Sequence, residues 1–271
     1  MKNLLRFFAY FFLLNLLFAI PFVPYYMSVA DKKELSWPIW IASFIPQLLS
    51  LLVIIKKFNL KKCLKKGLLQ SPILFSYKYL LLGVLLPFFV WIFLLVPGFI
   101  KPTLNALNLS IGLTLLLQII PIYLSALMEE VVFRMIPIQM LGSNIKFYEI
   151  IILSIIFGAF HIANPDITII GCINIILAGV LFYLLYIISL SVYASTLVHF
   201  LWNYMIGCIF GSNISGLSVP RLLINKTQGS EVLSGGSFGF EGSLFTTILF
   251  VVAISFVMIK NRSKVFSKKV F

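Results

Sequence analysis

Ionisable side chains interrupt the apolar stretches of this 271-residue chain at a few positions. Glu129 and Glu130 lie between apolar runs, and the chain's two histidines, His161 and His199, lie within others. A charged side chain at the centre of a membrane costs about 3 kcal/mol on insertion scales. Such residues usually face the interior of a helix bundle or a cavity, so a functional role is the default hypothesis for them.

Residue spacing separates the two glutamates. Glu130 and Arg134 are four residues apart, lie on one face of a helix and can form an ion pair. Glu129 is rotated by about 100° from Glu130 and is therefore free of that pair. Asn203 follows His199 by four residues and shares its face, and Phe157 has the same relation to His161.

The depth of these residues in the membrane points to one common site. If a turn at about 141–147 joins two spans, Glu129 lies roughly 16 Å and His161 roughly 20 Å from it at the rise of a helix. A joint near 189–191 places His199 roughly 13 Å deep, and the side-chain amide of Asn203 lies one helical turn deeper. Three helices would therefore bring a carboxylate, two imidazoles and an amide to a similar level.

This set of groups suits the hydrolysis of an amide. A carboxylate and an imidazole can activate a water molecule, with the carboxylate as general base. A second imidazole and an amide NH₂ can donate hydrogen bonds to a developing oxyanion. Attack by water is the simpler hypothesis.

Other functions remain open at this point. Glu129, His161 and His199 offer two nitrogens and one carboxylate, which is a recognised catalytic zinc set, although no HExxH motif is present. A non-catalytic membrane scaffold is a second alternative. A transporter with a proton relay is a third, and the sequence lacks the inverted repeat of many transporters. Three cysteines without CxxC spacing indicate neither a disulfide framework nor a thiolate metal site.

The elements that would position these groups are transmembrane helices. The chain is 61% hydrophobic and 11% charged, whereas a soluble domain carries about 25% charged residues. We expect an all-α polytopic bundle, because the backbone must satisfy its own hydrogen bonds in lipid. The eight predicted spans are 4–25, 38–56, 77–99, 109–139, 148–163, 167–188, 191–210 and 243–260. The predicted organisation is about three N-terminal helices in 1–108, core helices in 109–210, an extracytoplasmic Gly/Ser-rich loop at 211–242 that we expect to be flexible, and a last helix with a basic tail in 243–271.

The basic residues predict the orientation of the bundle. The net charge is +13, and most basic residues flank apolar segments, which favours the bilayer over nucleic acid as a partner. With eight spans and both termini in the cytoplasm, 16 of the 21 Lys and Arg residues lie inside. The five outside are Lys32, Lys33, Lys101, Arg221 and Lys226. The Lys-, Ile- and Phe-rich composition suggests a bacterial plasma membrane.

Three ordered motifs resemble those of a known family. The chain reads Glu-Glu-Val-Val-Phe-Arg at 129–134, Phe-Gly-Ala-Phe-His at 157–161 and His-Phe-Leu-Trp-Asn at 199–203. These match the EExxxR, FxxxH and HxxxN motifs of the CPBP family of CAAX proteases and bacteriocin-processing enzymes, also called the Abi family. The resemblance covers roughly 110–210.

The resemblance implies an activity and a role for each motif residue. The family is similar to type II CAAX prenyl proteases, which are eight-helix intramembrane endopeptidases of the glutamate type. Carried over, Glu129 and His161 would activate water, and His199 with Asn203 would stabilise the oxyanion. Glu130, Arg134 and Phe157 would be supporting residues, and no cofactor would be required. The implied substrate is a membrane-associated protein or peptide, although some relatives are linked to immunity or act as scaffolds.

Overall fold

The computed structural model of the chain describes residues 1–29, 37–69, 77–105, 109–142 and 145–265. Lys32, Lys33 and the end of the predicted basic tail, 266–271, lie outside the described residues. The helices of the described part are α1 (Lys2–Ala19), α2 (Val23–Val29), α3 (Trp37–Lys57), α4 (Lys61–Leu64), α5 (Tyr77–Leu95), α6 (Leu109–Glu130), α7 (Ile136–Leu141), α8 (Phe147–Ala159), α9 (Ile169–Ser189), α10 (Val192–Tyr204), α11 (Glu231–Ser234), α12 (Leu244–Lys260) and α13 (Arg262–Val265). The strands are β1 (Ile100–Leu104) and β2 (Leu223–Thr227).

The prediction of an all-α polytopic membrane bundle is confirmed. Six helical stretches of the described part are long and apolar enough to cross a membrane. They are Lys2–Ser28, Pro38–Lys57, Tyr77–Leu95, Leu109–Leu141, Ile169–Ser189 and Val192–Ile209. Two further apolar helices, α8 and α12, are shorter. Each of these eight segments overlaps one predicted span.

The centre of the bundle is the helical hairpin of α9 and α10. Thr168 caps α9 by accepting a hydrogen bond from the amide of Gly171, and Ser191 caps α10 through the amide of Ala194. Leu190 adopts a left-handed conformation between them, so the two helices reverse direction within two residues. α9 packs against α8, α10 and α12, and α10 packs against α5 and α6. The hairpin therefore contacts the helices that carry the predicted site.

Short π-helical turns follow two of these helices. Val131–Met135 continues α6, and Met205–Ile209 continues α10. π-Turns inside helices occur frequently at functional sites. The pairing of Glu130 with Arg134 was predicted for an unbroken α-helix. In the structure, Arg134 lies in the first of these π-turns.

The segment after α10, where the sequence predicted a flexible loop, contains a strand and buried aromatic side chains. β2 pairs with β1 in an antiparallel ladder, which was not predicted from the sequence. Phe238 and Phe240 are buried against the bundle. Gly239 adopts a φ of 99°, and a Cβ at that position would lie 2.4 Å from the carbonyl oxygen of Asn213. The glycines thus let the chain fold back closely on itself while its aromatic side chains are buried.

Candidate active site

All four side chains of the predicted centre line one cavity. The cavity has a volume of about 450 Å³ and is bordered by α1, α3, α6, α9, α10, the turn after α8 and the segment 211–243. Glu129, His161, His199 and Asn203 contribute to its wall, as does Phe157. The convergence expected from their matched depths is therefore present in the fold.

Glu130 contacts both Arg134 and His199. Its Oε1 atom lies 3.2 Å from Nη1 of Arg134 and 2.9 Å from Nδ1 of His199, and its side chain is fully buried. A carboxylate next to a guanidinium is an acceptor, so the Nδ1–H of His199 donates to it. The Nε2 atom of His199 is then directed to the other glutamate and lies 3.8 Å from Oε2 of Glu129. Glu130 thus orients this imidazole in addition to pairing with Arg134.

Arg134 is enclosed by aromatic rings. Its guanidinium carbon lies 4.0 Å from the ring centre of Phe157, 5.5 Å from that of Phe182 and 5.4 Å from that of Tyr183. Within the described residues its guanidinium nitrogens have no hydrogen-bond acceptor in suitable geometry. Cation–π contacts and the charge of Glu130 therefore stabilise this fully buried cation. Phe157, which was expected to be a supporting residue, is the closest of the three rings.

His161 lies outside the helix in which the sequence placed it. The predicted span runs to 163, but α8 ends at Ala159, and His161 lies in the turn that follows. Pro165 disfavours helical geometry at Asn164, which limits how far the helix can extend. The Nδ1 atom of His161 is 2.9 Å from the carbonyl oxygen of Phe157. A carbonyl only accepts, so Nδ1 carries the proton and Nε2 is left as an acceptor.

Glu129 is the more accessible of the two adjacent glutamates. Its side chain is 22% exposed, whereas that of Glu130 is fully buried. Its Oε1 atom accepts a hydrogen bond of 3.3 Å from the hydroxyl of Ser125. No Lys or Arg of the described residues forms an ion pair with it. The division of the two glutamates inferred from their spacing agrees with this geometry.

The part of the chain that carries these residues matches a known protein family. Residues 111–205 match the family model of the type II CAAX prenyl endopeptidases, described as Rce1-like. The matched range contains all three motifs. This part of the chain is CAAX-protease-like. Comparisons with curated proteins and with solved structures gave no match.

The cavity of this CAAX-protease-like protein is completed by residues outside the matched range. Ser215 and Glu241 line it from the segment 211–243. Glu241 accepts a hydrogen bond of 3.0 Å from the indole nitrogen of Trp202, which precedes Asn203 on α10. These residues were not among those predicted from the sequence. A glutamate that follows Phe238 and Phe240 in a Gly/Ser-rich stretch was the available signal, since aromatic side chains favour burial.

The CAAX-protease-like centre does not fit the three-ligand zinc site considered above. Within the described residues, no three His, Cys, Asp or Glu side chains lie close enough together to hold one metal ion. Glu129 and His199 approach each other, and Nε2 of His161 could serve as a ligand, but the three do not form one group.

Proposed function

We propose that this CAAX-protease-like membrane protein is an intramembrane endopeptidase that hydrolyses a peptide bond of a membrane-associated protein or peptide. The observation that supports this proposal is the convergence of Glu129, His161, His199 and Asn203 on one cavity within the helix bundle. The same cavity is lined by many aromatic side chains, which suits the apolar part of a membrane-associated substrate.

In the proposed reaction, Glu129 takes one proton from a water molecule. The second hydrogen of this water is donated in a hydrogen bond to Nε2 of His161. The water oxygen attacks the carbonyl carbon of the substrate and forms a tetrahedral oxyanion. When this intermediate collapses, the C–N bond breaks, and the proton held by Glu129 passes to the leaving amine. Both products then leave the site and Glu129 is again a carboxylate.

His199 and Asn203 stabilise the oxyanion in this proposal. Because Nδ1 of His199 donates to Glu130, donation from Nε2 requires the doubly protonated ring. In that state the ring lies between two carboxylates, with Nδ1 2.9 Å from Glu130 and Nε2 3.8 Å from Glu129. The side-chain amide of Asn203 supplies a second donor. Such donors each contribute about 3 kcal/mol in acyl-transfer enzymes.

We further propose that the protein resides in a bacterial plasma membrane with both termini in the cytoplasm. The support is the excess of Lys and Arg in the segments that this orientation places inside. In this orientation, the turn that carries His161 and the segment 211–243 lie toward the outer face.

The deciding experiment compares Glu129→Gln with the wild type. The protein is reconstituted in liposomes with a library of membrane-anchored peptides, and new peptide termini are identified by mass spectrometry. Glu129→Gln keeps the size of the side chain but removes the base, so the cleavage rate falls by about 100-fold or more. The control is Glu231→Gln, because Glu231 lies exposed on α11, and it cleaves at the wild-type rate.

Two results would contradict the proposal. Cleavage by Glu129→Gln at the wild-type rate would exclude Glu129 as the base. If variants in each of the three motifs all kept wild-type biological activity, a non-catalytic scaffold would be favoured. A chelator added to the same liposomes distinguishes the zinc alternative. We expect no change in rate, whereas loss with chelator and recovery with zinc would replace the glutamate mechanism.

A further inference from the structure

The turn that carries His161 is attached to the segment 211–243. Asn164 closes this turn through a hydrogen bond of 3.0 Å from its amide to the carbonyl of His161. Its side-chain nitrogen donates to the carbonyl oxygen of Ser215 at 3.1 Å. Because His161 lies beyond the end of α8, helix geometry alone does not fix its position, and this contact supplies a fixed point.

Ser215 is in turn bound to Glu241. One oxygen of the Glu241 carboxylate accepts from the amide of Ser215 at 2.6 Å and from its hydroxyl at 2.9 Å. The other oxygen accepts from the indole nitrogen of Trp202 at 3.0 Å. Trp202 lies three residues after His199 and one before Asn203 on α10. Hydrogen bonds therefore connect the turn of His161 to the helix of His199 and Asn203.

Glu241 is itself held firmly. It is 7% exposed, and the side-chain nitrogen of the buried Asn174 on α9 donates to its carbonyl oxygen at 2.7 Å and to that of Ser243 at 2.9 Å. Trp202 packs on Phe250 of α12 with ring centres 4.7 Å apart. No Lys or Arg lies at ion-pair distance from Glu241 in the part of the chain that the structure describes. Three hydrogen-bond donors, and no salt bridge, thus fix the carboxylate.

We propose that Glu241 is a positioning residue for the hydrolysis: acting through Ser215 and Trp202, it sets the position of His161 relative to His199 and Asn203. This inference rests on the proposed peptidase function. It adds the segment 211–243, which lies outside the matched family range, to the active site. The carboxylate is required because it accepts on both sides, whereas an amide places a donor against either Ser215 or Trp202.

The kinetic test is Glu241→Gln in the liposome assay, with Glu231→Gln on the same segment as the matched control. We expect kcat to fall by about 10- to 100-fold, since misplacement of reacting groups by an ångström has effects of this size. KM stays within about twofold because the walls that bind the peptide are retained. Since Asn164 and Glu241 both act through Ser215, the double variant Asn164→Ala/Glu241→Gln loses little more than the more impaired single variant.

A distance measurement tests the same proposal without catalysis. Spin labels are attached at Ile162, in the turn, and at Val232, on α11, because both side chains are exposed. Cys63, Cys172 and Cys208 are replaced by alanine in this background, since all three are free. We expect a narrow distance distribution for the wild type and Glu231→Gln, and a broader or shifted one for Glu241→Gln and Asn164→Ala.

The outcomes separate this inference from the proposed function. Wild-type kcat and an unchanged distribution in Glu241→Gln overturn it. A lower melting temperature with unchanged kcat per folded molecule also overturns it, because Glu241 would then only stabilise the fold. If the wild type cleaves no peptide but the distribution broadens in Glu241→Gln, the positioning by Glu241 is upheld and the peptidase proposal fails.

Discussion

Two adjacent glutamates have opposite environments at this site. Glu129 faces the cavity, whereas Glu130 is fully buried beside Arg134. The rotation of about 100° between successive helical residues accounts for this difference, and it could be predicted from the distance to Arg134 along the chain. The contact between Glu130 and His199 could not, because the two are 69 residues apart and meet only where α6 packs against α10.

The buried ion pair predicts a specific response to substitution. Arg134→Met leaves the Glu130 carboxylate buried without a cation, so we expect the free energy of unfolding to fall by about 3–5 kcal/mol. The double variant Glu130→Gln/Arg134→Met removes both charges and recovers most of this stability. Its kcat stays low because His199 has lost its carboxylate partner. Unfolding in mixed micelles measures the stabilities, and a double variant no more stable than Arg134→Met would refute this account.

At the level of helices, close approach of α8 and α9 positions one wall of the site. A Cβ at Gly179 of α9 would lie 3.0 Å from Cβ and 3.2 Å from Cα of Ser154 on α8. Small residues of this kind let helix backbones approach closely in membranes. α8 carries Phe157 and leads into His161, so the separation of the two helices determines where both side chains lie.

Gly179→Val tests this packing, with Gly112→Val as its control. The added side chain pushes α8 from α9, and we expect a loss of about 1–3 kcal/mol in stability together with a lower kcat, because His161 moves. A Cβ at Gly112 on α6 would have no atom of the described residues within 4 Å, so this substitution leaves both quantities unchanged. Melting temperature and cleavage rate are measured for both, and equal behaviour of the two variants would argue against the packing role.

The apolar segments could be predicted from the sequence more completely than the polar ones. Each predicted span overlaps an apolar helix because hydrophobic length alone identifies such segments. The pairing of β1 with β2 depends on contacts between distant residues, and neither the early end of α8 nor the π-turns can be predicted from hydropathy. The fold of 211–243 was missed because its Gly/Ser composition is typical of loops, while its buried contacts with Asn174 and Trp202 are not visible in composition.

For the molecule as a whole, contacts between connecting segments support an alternating topology. β1, after α5, pairs with β2, after α10, and the turn after α8 contacts the same segment through Asn164. Tyr193, at the start of α10, donates instead to the carbonyl of Leu68, after α3. These contacts bring together the segments that follow α5, α8 and α10, and separately those that follow α3 and α9, as helices that alternate in direction would do.

Accessibility of single cysteines tests the orientation. Lys62 and Ser230 are both exposed and belong to the two different groups of connections. In a cysteine-free background, Ser230→Cys reacts with a membrane-impermeant maleimide on intact cells, and Lys62→Cys reacts only after permeabilisation. The reverse labelling pattern would indicate the opposite orientation in the membrane. Labelling of both sites from outside would exclude the eight-span arrangement.

The two short apolar helices have a consequence for the surrounding lipid. With 13 and 17 residues, α8 and α12 extend only about 20 Å and 26 Å, and both pack against α9. The hydrocarbon layer of an average bilayer is about 30 Å thick. The eight-span arrangement therefore requires the bilayer to be thinner next to these helices, since a short hydrophobic helix is matched by local compression of the bilayer. In the proposed reaction, the depth at which a peptide bond reaches Glu129 then depends on both the protein and the acyl chains around it.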